Sequence, residues 1–343
     1  MKKTGLLVLM LILALAPLAV VFAGGGRAAD GAERHAFIFK NTGNPYGDKQ
    51  MEGFKAGIEA QGFEAILRAP DVPTAEAQIA IIEQLIAQRV KSISVTGNDY
   101  DALQPALQRA RNAGIAVLSA DSAVNPASRI THINQADSEM IGRTLIQAAY
   151  DMAGGAGDIA ILSATSQASN QNLWIEWMRK ELAENAAKYA NLNLVRVAYG
   201  DDLRDKSVAE TEALLQSFPN LKVIIAPTTV GIAAAGRVIT DRGLIGQVKV
   251  TGLGLPSEMA EYIENGACPY MFLWNPIDVG YLTAYAAVAA TKGTLTGAVG
   301  ERFSAGRLGS FEVVQASDGG TEVLLGAPFK FDPSNIAEWK TVY

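Results

Sequence analysis

Phe37-Ile38-Phe39-Lys40-Asn41-Thr42-Gly43-Asn44-Pro45-Tyr46-Gly47-Asp48 is the stretch on which the reading of this chain turns. Phe37 to Phe39 read as a short apolar strand. The polar, Gly- and Pro-containing residues after them read as a loop. A helical pattern comes next, with Met51, Phe54 and Ile58 at one-face spacing. In an open parallel α/β sheet, the loop leaving the carboxyl end of a strand is where ligands sit. This loop carries one cation (Lys40), two amides (Asn41, Asn44) and one flat apolar ring (Tyr46). Those groups suit a small polyhydroxylated molecule. A phosphate would ask for a denser run of glycines at the helix start.

Working outward, strands and helices alternate along most of the chain, the pattern of a parallel sheet with helices on both faces. Thr74 caps a helix carrying Ile79, Ile82, Leu85 and Ile86. The strand Ser92 to Thr96 ends in Gly97-Asn98-Asp99, and Ile115 to Ala120 ends on Asp121-Ser122. After a strand at 130–133 and a crossing at Asn134-Gln135, a second similar unit begins near Ala136. Its strands end in Ala164 to Gln171, in Pro227-Thr228-Thr229, in Gly254-Leu255-Pro256 and in Trp274-Asn275-Pro276. The tail differs: a long apolar helix from Ile277, then strands around Asp318-Gly319-Gly320, a hairpin signal.

The N-terminus is Met1-Lys2-Lys3 and then an apolar run from Leu6 to Phe22, which reads as a secretory signal over residues 1–23. The run is nearly long enough to span a bilayer, but Pro17 and the small residues near Ala23 suit cleavage there, or after Ala29. No cysteine lies near either position, so no lipid anchor is expected. Cys268 is the one cysteine of the chain, which excludes an intrachain disulfide. The 343 residues are enough for two domains, and 49% hydrophobic residues describe a globular protein. A net charge of -6 disfavours nucleic acid as a partner.

The residues at the strand ends form a constellation: Lys40, Asn41, Asn44 and Tyr46; Asn98; Asp121; Asn170, Gln171 and Trp174; Thr228 and Thr229; Trp274 and Asn275. Planar amides and carboxylates each bind two hydroxyls at once, and ionised partners strengthen those bonds. Tyr46 and Trp174 offer faces for a sugar ring, with Trp274 nearby. Each residue has an ordinary alternative. Asn or Asp after a strand is commonly a turn or a helix cap, and Trp174 and Trp177 on an amphipathic helix commonly belong to the core. Lys40 is less ordinary, because a lysine at the end of a buried strand needs a partner, and Asp121 or a ligand would serve.

Enzyme signatures are missing. His35 and His132 have no Cys or carboxylate at metal-ligand spacing, and no Gly-x-Ser-x-Gly elbow occurs. Gly252-Leu253-Gly254 lacks the third glycine of a dinucleotide loop, and Gly154 to Gly157 precedes a strand, the wrong order for phosphate. No cofactor, metal or catalytic residue is expected.

Together, Phe37 to Lys40 with Asn44-Pro45-Tyr46, Ala120-Asp121-Ser122, Ile133-Asn134-Gln135, Asn170 to Trp174, Ile225-Ala226-Pro227 and Leu273 to Pro276 resemble the periplasmic solute-binding proteins of sugar ABC importers, ribose-binding-protein type. Within them the chain is similar to the branch of rhamnose-binding and autoinducer-2-binding proteins. The resemblance covers about 33–331. It implies an α/β, periplasmic-binding-protein-like type I fold: two doubly wound parallel-sheet lobes joined by three crossovers, with the ligand between them. The N-terminal lobe would be 33–133 plus 277–305, and the C-terminal lobe 134–276 plus 306–343.

The binding lysine, first aspartate and glutamine of the autoinducer-2 type map onto Lys40, Asp121 and Gln171. Asn170 and Asn275 stand where that type has aspartates, and Thr229 where it has alanine. Fewer carboxylates and an added hydroxyl suit a neutral pyranose, and Gly252 to Met259 also looks more like the rhamnose type. The resemblance therefore implies a monomeric, non-enzymatic periplasmic protein. It would carry a deoxyhexose such as L-rhamnose to a membrane permease, with autoinducer-2 as the alternative ligand.

Overall fold

Strand-to-helix turns closed by side-chain caps set the frame of this computed structural model, which describes residues 33–343. The leader and the Gly24–Ala32 segment lie outside the described residues. In chain order the elements are β1 (Arg34–Ile38), α1 (Pro45–Glu59), β2 (Glu64–Arg68), α2 (Ala75–Ala87), β3 (Ser92–Val95), α3 (Gln104–Asn112), β4 (Ala116–Ala120) and β5 (His132–Asn134). Next come α4 (Ser138–Ala153), β6 (Gly157–Ser163), α5 (Ser169–Glu184), β7 (Leu192–Tyr199), α6 (Arg204–Ser217), β8 (Leu221–Ala226), α7 (Thr229–Asp241), β9 (Lys249–Gly252), α8 (Pro256–Glu264) and β10 (Met271–Leu273). The chain ends with α9 (Pro276–Thr291), β11 (Arg302–Ser304), β12 (Ser310–Glu312), β13 (Val314–Gln315), β14 (Thr321–Leu324), β15 (Phe329–Phe331) and α10 (Ile336–Trp339).

Asn44 caps α1 by accepting from the Tyr46 and Gly47 backbone N–H groups, and Pro45 opens the helix where a missing N–H costs nothing. Thr74, Asp137, Thr228 and Asn275 cap α2, α4, α7 and α9 in the same way. These caps fix where each helix leaves its strand, and so where the loop side chains point.

Two sheets result. The first has the order β13-β14-β5-β4-β3-β1-β2, parallel except for the β13–β14 hairpin. The second is β7-β6-β8-β9, all parallel, with β10 joined to β9 through a Leu253–Phe272 bridge and paired antiparallel to β15. Phe37, Ile38 and Phe39 are covered on both sides, as a central parallel strand requires. The chain passes between the sheets three times: after β5, between β10 and α9, and between β14 and β15.

α9 lies against α1 at a distance only glycine permits. A Cβ on Gly53 would meet the Ile277 carbonyl oxygen at 1.9 Å, and one on Gly280 would meet the Gln50 carbonyl oxygen at 1.9 Å.

The tail departs from expectation. Residues after 305 do not all return to the second sheet. β14 pairs parallel with β5, Glu322 opposite His132 and Leu324 opposite Asn134, and the Val323 side chain is fully buried. This pairing covers an edge of β5 that would otherwise be open. Only from β15 onward does the chain rejoin the second lobe, where Phe331, Trp339 and Tyr343 stack.

Candidate functional site

The carboxyl ends of β1, β4, β6, β7, β8 and β10 face one another across the gap between the sheets. Their loops enclose about 360 Å³ of empty volume, lined by residues from Phe39 to Trp274.

Lys40 and Asp121 form the charged pair of the first lobe, with Nζ 4.0 Å from Oδ2 and both side chains buried. Asp121 takes a left-handed backbone (φ 63°), an uncommon conformation that Asp tolerates better than most residues. Burial pushes its carboxyl up to about 6; Lys40 pulls against that, and the negative charge of Asp202 adds to it. Tyr46 donates to Asp121 Oδ1 at 3.5 Å, and Asn170 donates from the other lobe at 3.4 Å. Burial chiefly, with the Asp121 charge second, holds the Tyr46 phenol well above its usual range, so its proton stays in place.

Three rings close the other side. Trp274 packs edge-on to Tyr46 at 6.5 Å and tilted against Trp174 at 5.9 Å. Trp274 Nε1 donates to the Tyr46 hydroxyl at 2.7 Å. Trp174 Nε1 is buried with no hydrogen-bond partner. An orphan donor of this kind costs about 1–3 kcal/mol unless an acceptor reaches it.

The scaffold has already used several acceptors. Asn44 Oδ1 caps α1, and Gln171 Oε1 accepts from Ser163 Oγ at 2.7 Å and from the Ala164 N–H at 2.8 Å. Their amide N–H groups remain for the cavity. Thr228 donates to Asp202 and accepts from the Gly231 N–H. The lining therefore offers many donors, from Lys40, Asn44, Gln171 and Trp174. Its side-chain acceptors are Asp121, Asp202 and the Thr229 hydroxyl.

Of the residues expected from sequence, Lys40, Asn44, Tyr46, Asp121, Asn170, Gln171, Trp174, Thr228, Thr229 and Trp274 line this cavity. Three do not. Asn98 is buried but turned into the scaffold, donating to the Lys40 carbonyl at 2.8 Å and to the Thr74 carbonyl at 3.4 Å. Asn41 is buried beside its own loop, donating to the Thr42 carbonyl. Asn275 is half-buried, with its carbonyl spent on capping α9 at Ile277. All three are loop amides whose local backbone duties win over the cavity. The lining also includes Phe39, Asp202, Pro227, Leu253 and Leu273, which the sequence did not single out. Asp202 sits beside Asp201 in a turn after β7, both left-handed, with nothing to mark one from the other in sequence.

Residues 35–295 match the model of the periplasmic binding protein domain. The chain belongs to the periplasmic binding protein family. Within this family it is 51% identical to an ABC transporter solute-binding protein from Clostridium phytofermentas solved with bound L-rhamnose, over 91% of this chain and 99% of that one, with a TM-score of 0.89. It is 26% identical to the D-ribose/D-allose-binding protein of Pseudomonas aeruginosa, over 64% of this chain and 70% of the relative. It also shares its fold with LsrB of Clostridium saccharobutylicum in complex with AI-2, at 22% identity and a TM-score of 0.83, over 89% and 99% of the two chains. The family's architecture is the one described above, two α/β lobes around a cleft. Among the described residues no helix is long and apolar enough to cross a membrane.

Proposed function

We propose that this protein is the solute-binding component of an ABC sugar importer and holds a neutral deoxyhexose such as L-rhamnose between its lobes. One observation carries the reading: a single cavity, walled by loop tips of both lobes, sets several unspent donors and two carboxylates against three aromatic rings. A sugar presents hydroxyls that both donate and accept, and C–H faces that pack on rings. An L-rhamnose-bound relative at 51% identity supports the same ligand class.

The protein is exported on its leader, which is then cleaved, and works in the periplasm as a monomer. Ligand binding draws the lobes together about the three crossings, a hinge motion. The closed form then docks on a membrane permease, and no bond of the sugar is made or broken. Lys40 and Asp121 anchor the ligand. Asn44, Asn170, Gln171 and Thr229 read its hydroxyls, while Tyr46, Trp174 and Trp274 wall the ring.

Lys40, Asp121 and Gln171 also match the autoinducer-2 type of site, which makes that signal the second reading. A thermal-shift panel separates the two. Stabilisation by L-rhamnose and not by autoinducer-2 supports the first reading. Stabilisation by autoinducer-2 and by no deoxyhexose reverses the order.

A further inference from the structure

Asp202 enters the cavity from the turn between β7 and α6, in the second lobe. Its backbone is left-handed (φ 54°), as is that of Asp201 before it (φ 55°). Two successive non-glycine residues in that region are uncommon and mark a turn held by its surroundings. The two aspartates part ways there. Asp201 turns to solvent and pairs with Lys206. Asp202 turns inward and accepts from the Thr228 hydroxyl, the same hydroxyl that caps α7. It thus faces Asp121, which belongs to the first lobe, closely enough to raise that residue's proton affinity.

The hydrogen-bond balance of the cavity gives this placement a consequence. Asn44 and Gln171 have their carbonyls engaged by the scaffold, Trp174 and Lys40 have only donors, and the Asn170 carbonyl accepts from the Gln171 N–H. Protons donated by ligand hydroxyls therefore go to Asp121 on one wall and to Asp202 and the Thr229 hydroxyl on the other, and the two carboxylates are the stronger acceptors. The cavity sets these two negative charges toward each other, with Lys40 as the one cation of its lining. A ligand that donates one hydroxyl to each satisfies both walls at once.

We infer that Asp202 is a ligand-contacting, specificity-determining residue of the second lobe, and that together with Asp121 it selects a neutral polyol bearing two hydroxyl donors placed to bridge the lobes. This rests on the reading that a neutral sugar occupies the cavity. A ligand carrying a carboxylate or phosphate at that position is rejected by the two carboxylates, and a sugar lacking the hydroxyl facing Asp202 leaves a half-buried acceptor short of a partner.

The test is calorimetric titration of L-rhamnose and its mono-deoxy analogues into wild-type protein and Asp202→Asn. The asparagine keeps an acceptor for Thr228 and removes the charge. Ligand-free melting, recorded alongside, is expected to be unchanged. L-rhamnose is expected to bind Asp202→Asn roughly tenfold or more weakly, since bonds to ionised groups are about twice as strong as neutral ones. One mono-deoxy analogue is expected to lose affinity for the wild type while binding Asp202→Asn as well as L-rhamnose does. Should the asparagine variant not fold, Asp202→Ser supplies the same comparison with a shorter acceptor. Equal L-rhamnose affinity in wild type and variant overturns the inference and leaves the functional reading intact. Failure of the wild type to bind any neutral sugar overturns the functional reading and the inference with it.

Discussion

Trp274 and Tyr46 lie 228 positions apart in the chain and on opposite lobes, yet the indole N–H donates to the phenol oxygen over 2.7 Å. Tyr46 in turn donates to Asp121, so one line of hydrogen bonds runs from the second lobe through the cavity wall to the charged pair of the first. Trp274→Phe keeps a ring and removes the donor. A neutral hydrogen bond is worth about 0.5–1.5 kcal/mol net, so L-rhamnose affinity is expected to fall roughly twofold to tenfold. Titration calorimetry checks this, and an unchanged affinity would mean that the inter-lobe bond does not contribute to the closed state.

The Asp121 carboxyl sets a pH dependence of definite sign. Lys40, Tyr46, Asn170 and Asp202 face it in the cavity, while Tyr100, Arg129, His132, Asp318 and Glu322 line the adjoining space. Its ordinary value of 3.8 is raised by burial to about 6. Between those values the folded protein holds a proton that the unfolded chain has released. The stability contributed by this group is therefore present below about pH 4 and lost as pH rises through 6. Ligand hydroxyls favour the ionised carboxylate, so affinity runs the other way, full above about pH 7 and falling as pH drops below about 6. Buried His132 is pushed down to about 3 and stays neutral across that range. Comparison of wild type with Asp121→Asn isolates both trends. A difference in melting temperature that does not vary with pH between about 4 and 7 would contradict the assignment.

Gln78 shows how the scaffold holds Lys40 in place. It is fully buried and donates to the Phe39 and Thr96 carbonyls at 3.1 and 2.8 Å, while its carbonyl accepts from the Asn98 N–H at 2.9 Å. Gln78→Met strips partners from three backbone groups at the ends of β1 and β3. At about 1–3 kcal/mol for each buried group left unpaired, a loss of at least roughly 3 kcal/mol is expected in urea unfolding. Sugar affinity should fall as well, because Phe39 before Lys40 and Asn98, whose side chain holds the Lys40 carbonyl, lose their anchor. A variant of normal stability would show that water replaces these bonds without cost.

The α1–α9 contact predicts a steric effect. Gly53→Ala sets a methyl group 1.9 Å from the Ile277 carbonyl oxygen, a backbone atom that cannot rotate away. The helices must separate, at a cost of about 3 kcal/mol or more, beyond the usual range for overpacking. A shift of the urea midpoint to lower concentration with an unchanged slope is expected. No shift would mean that the helices slide past each other freely.

Sequence carried the alternation of strands and helices, and with it the two lobes and the loop after Phe39, because buried parallel strands write themselves as continuous apolar runs. It also offered Asp121 or a ligand as the partner that a lysine at the end of such a run needs, and the structure sets Asp121 there. Asn98, Asn41 and Asn275 looked the same as Asn44 and Asn170 in sequence. Whether an amide turns to the cavity or to its own backbone depends on cap geometry that residue identity does not specify. Asp202 was hidden for a related reason: in Asp201-Asp202 only the fold decides which carboxylate faces inward. β14 was readable as a strand, but so short a run carries no record of which sheet edge it completes.

The proposed site for a neutral deoxyhexose is built from loop tips of both lobes. Calorimetric titration of the mature protein with L-rhamnose tests it most directly. Saturable binding with one sugar per chain, lost in a Lys40→Met variant that still melts cooperatively, is the predicted result. Absence of heat with L-rhamnose and every other neutral hexose tried, from a protein that melts cooperatively and carries no copurified ligand, would contradict it.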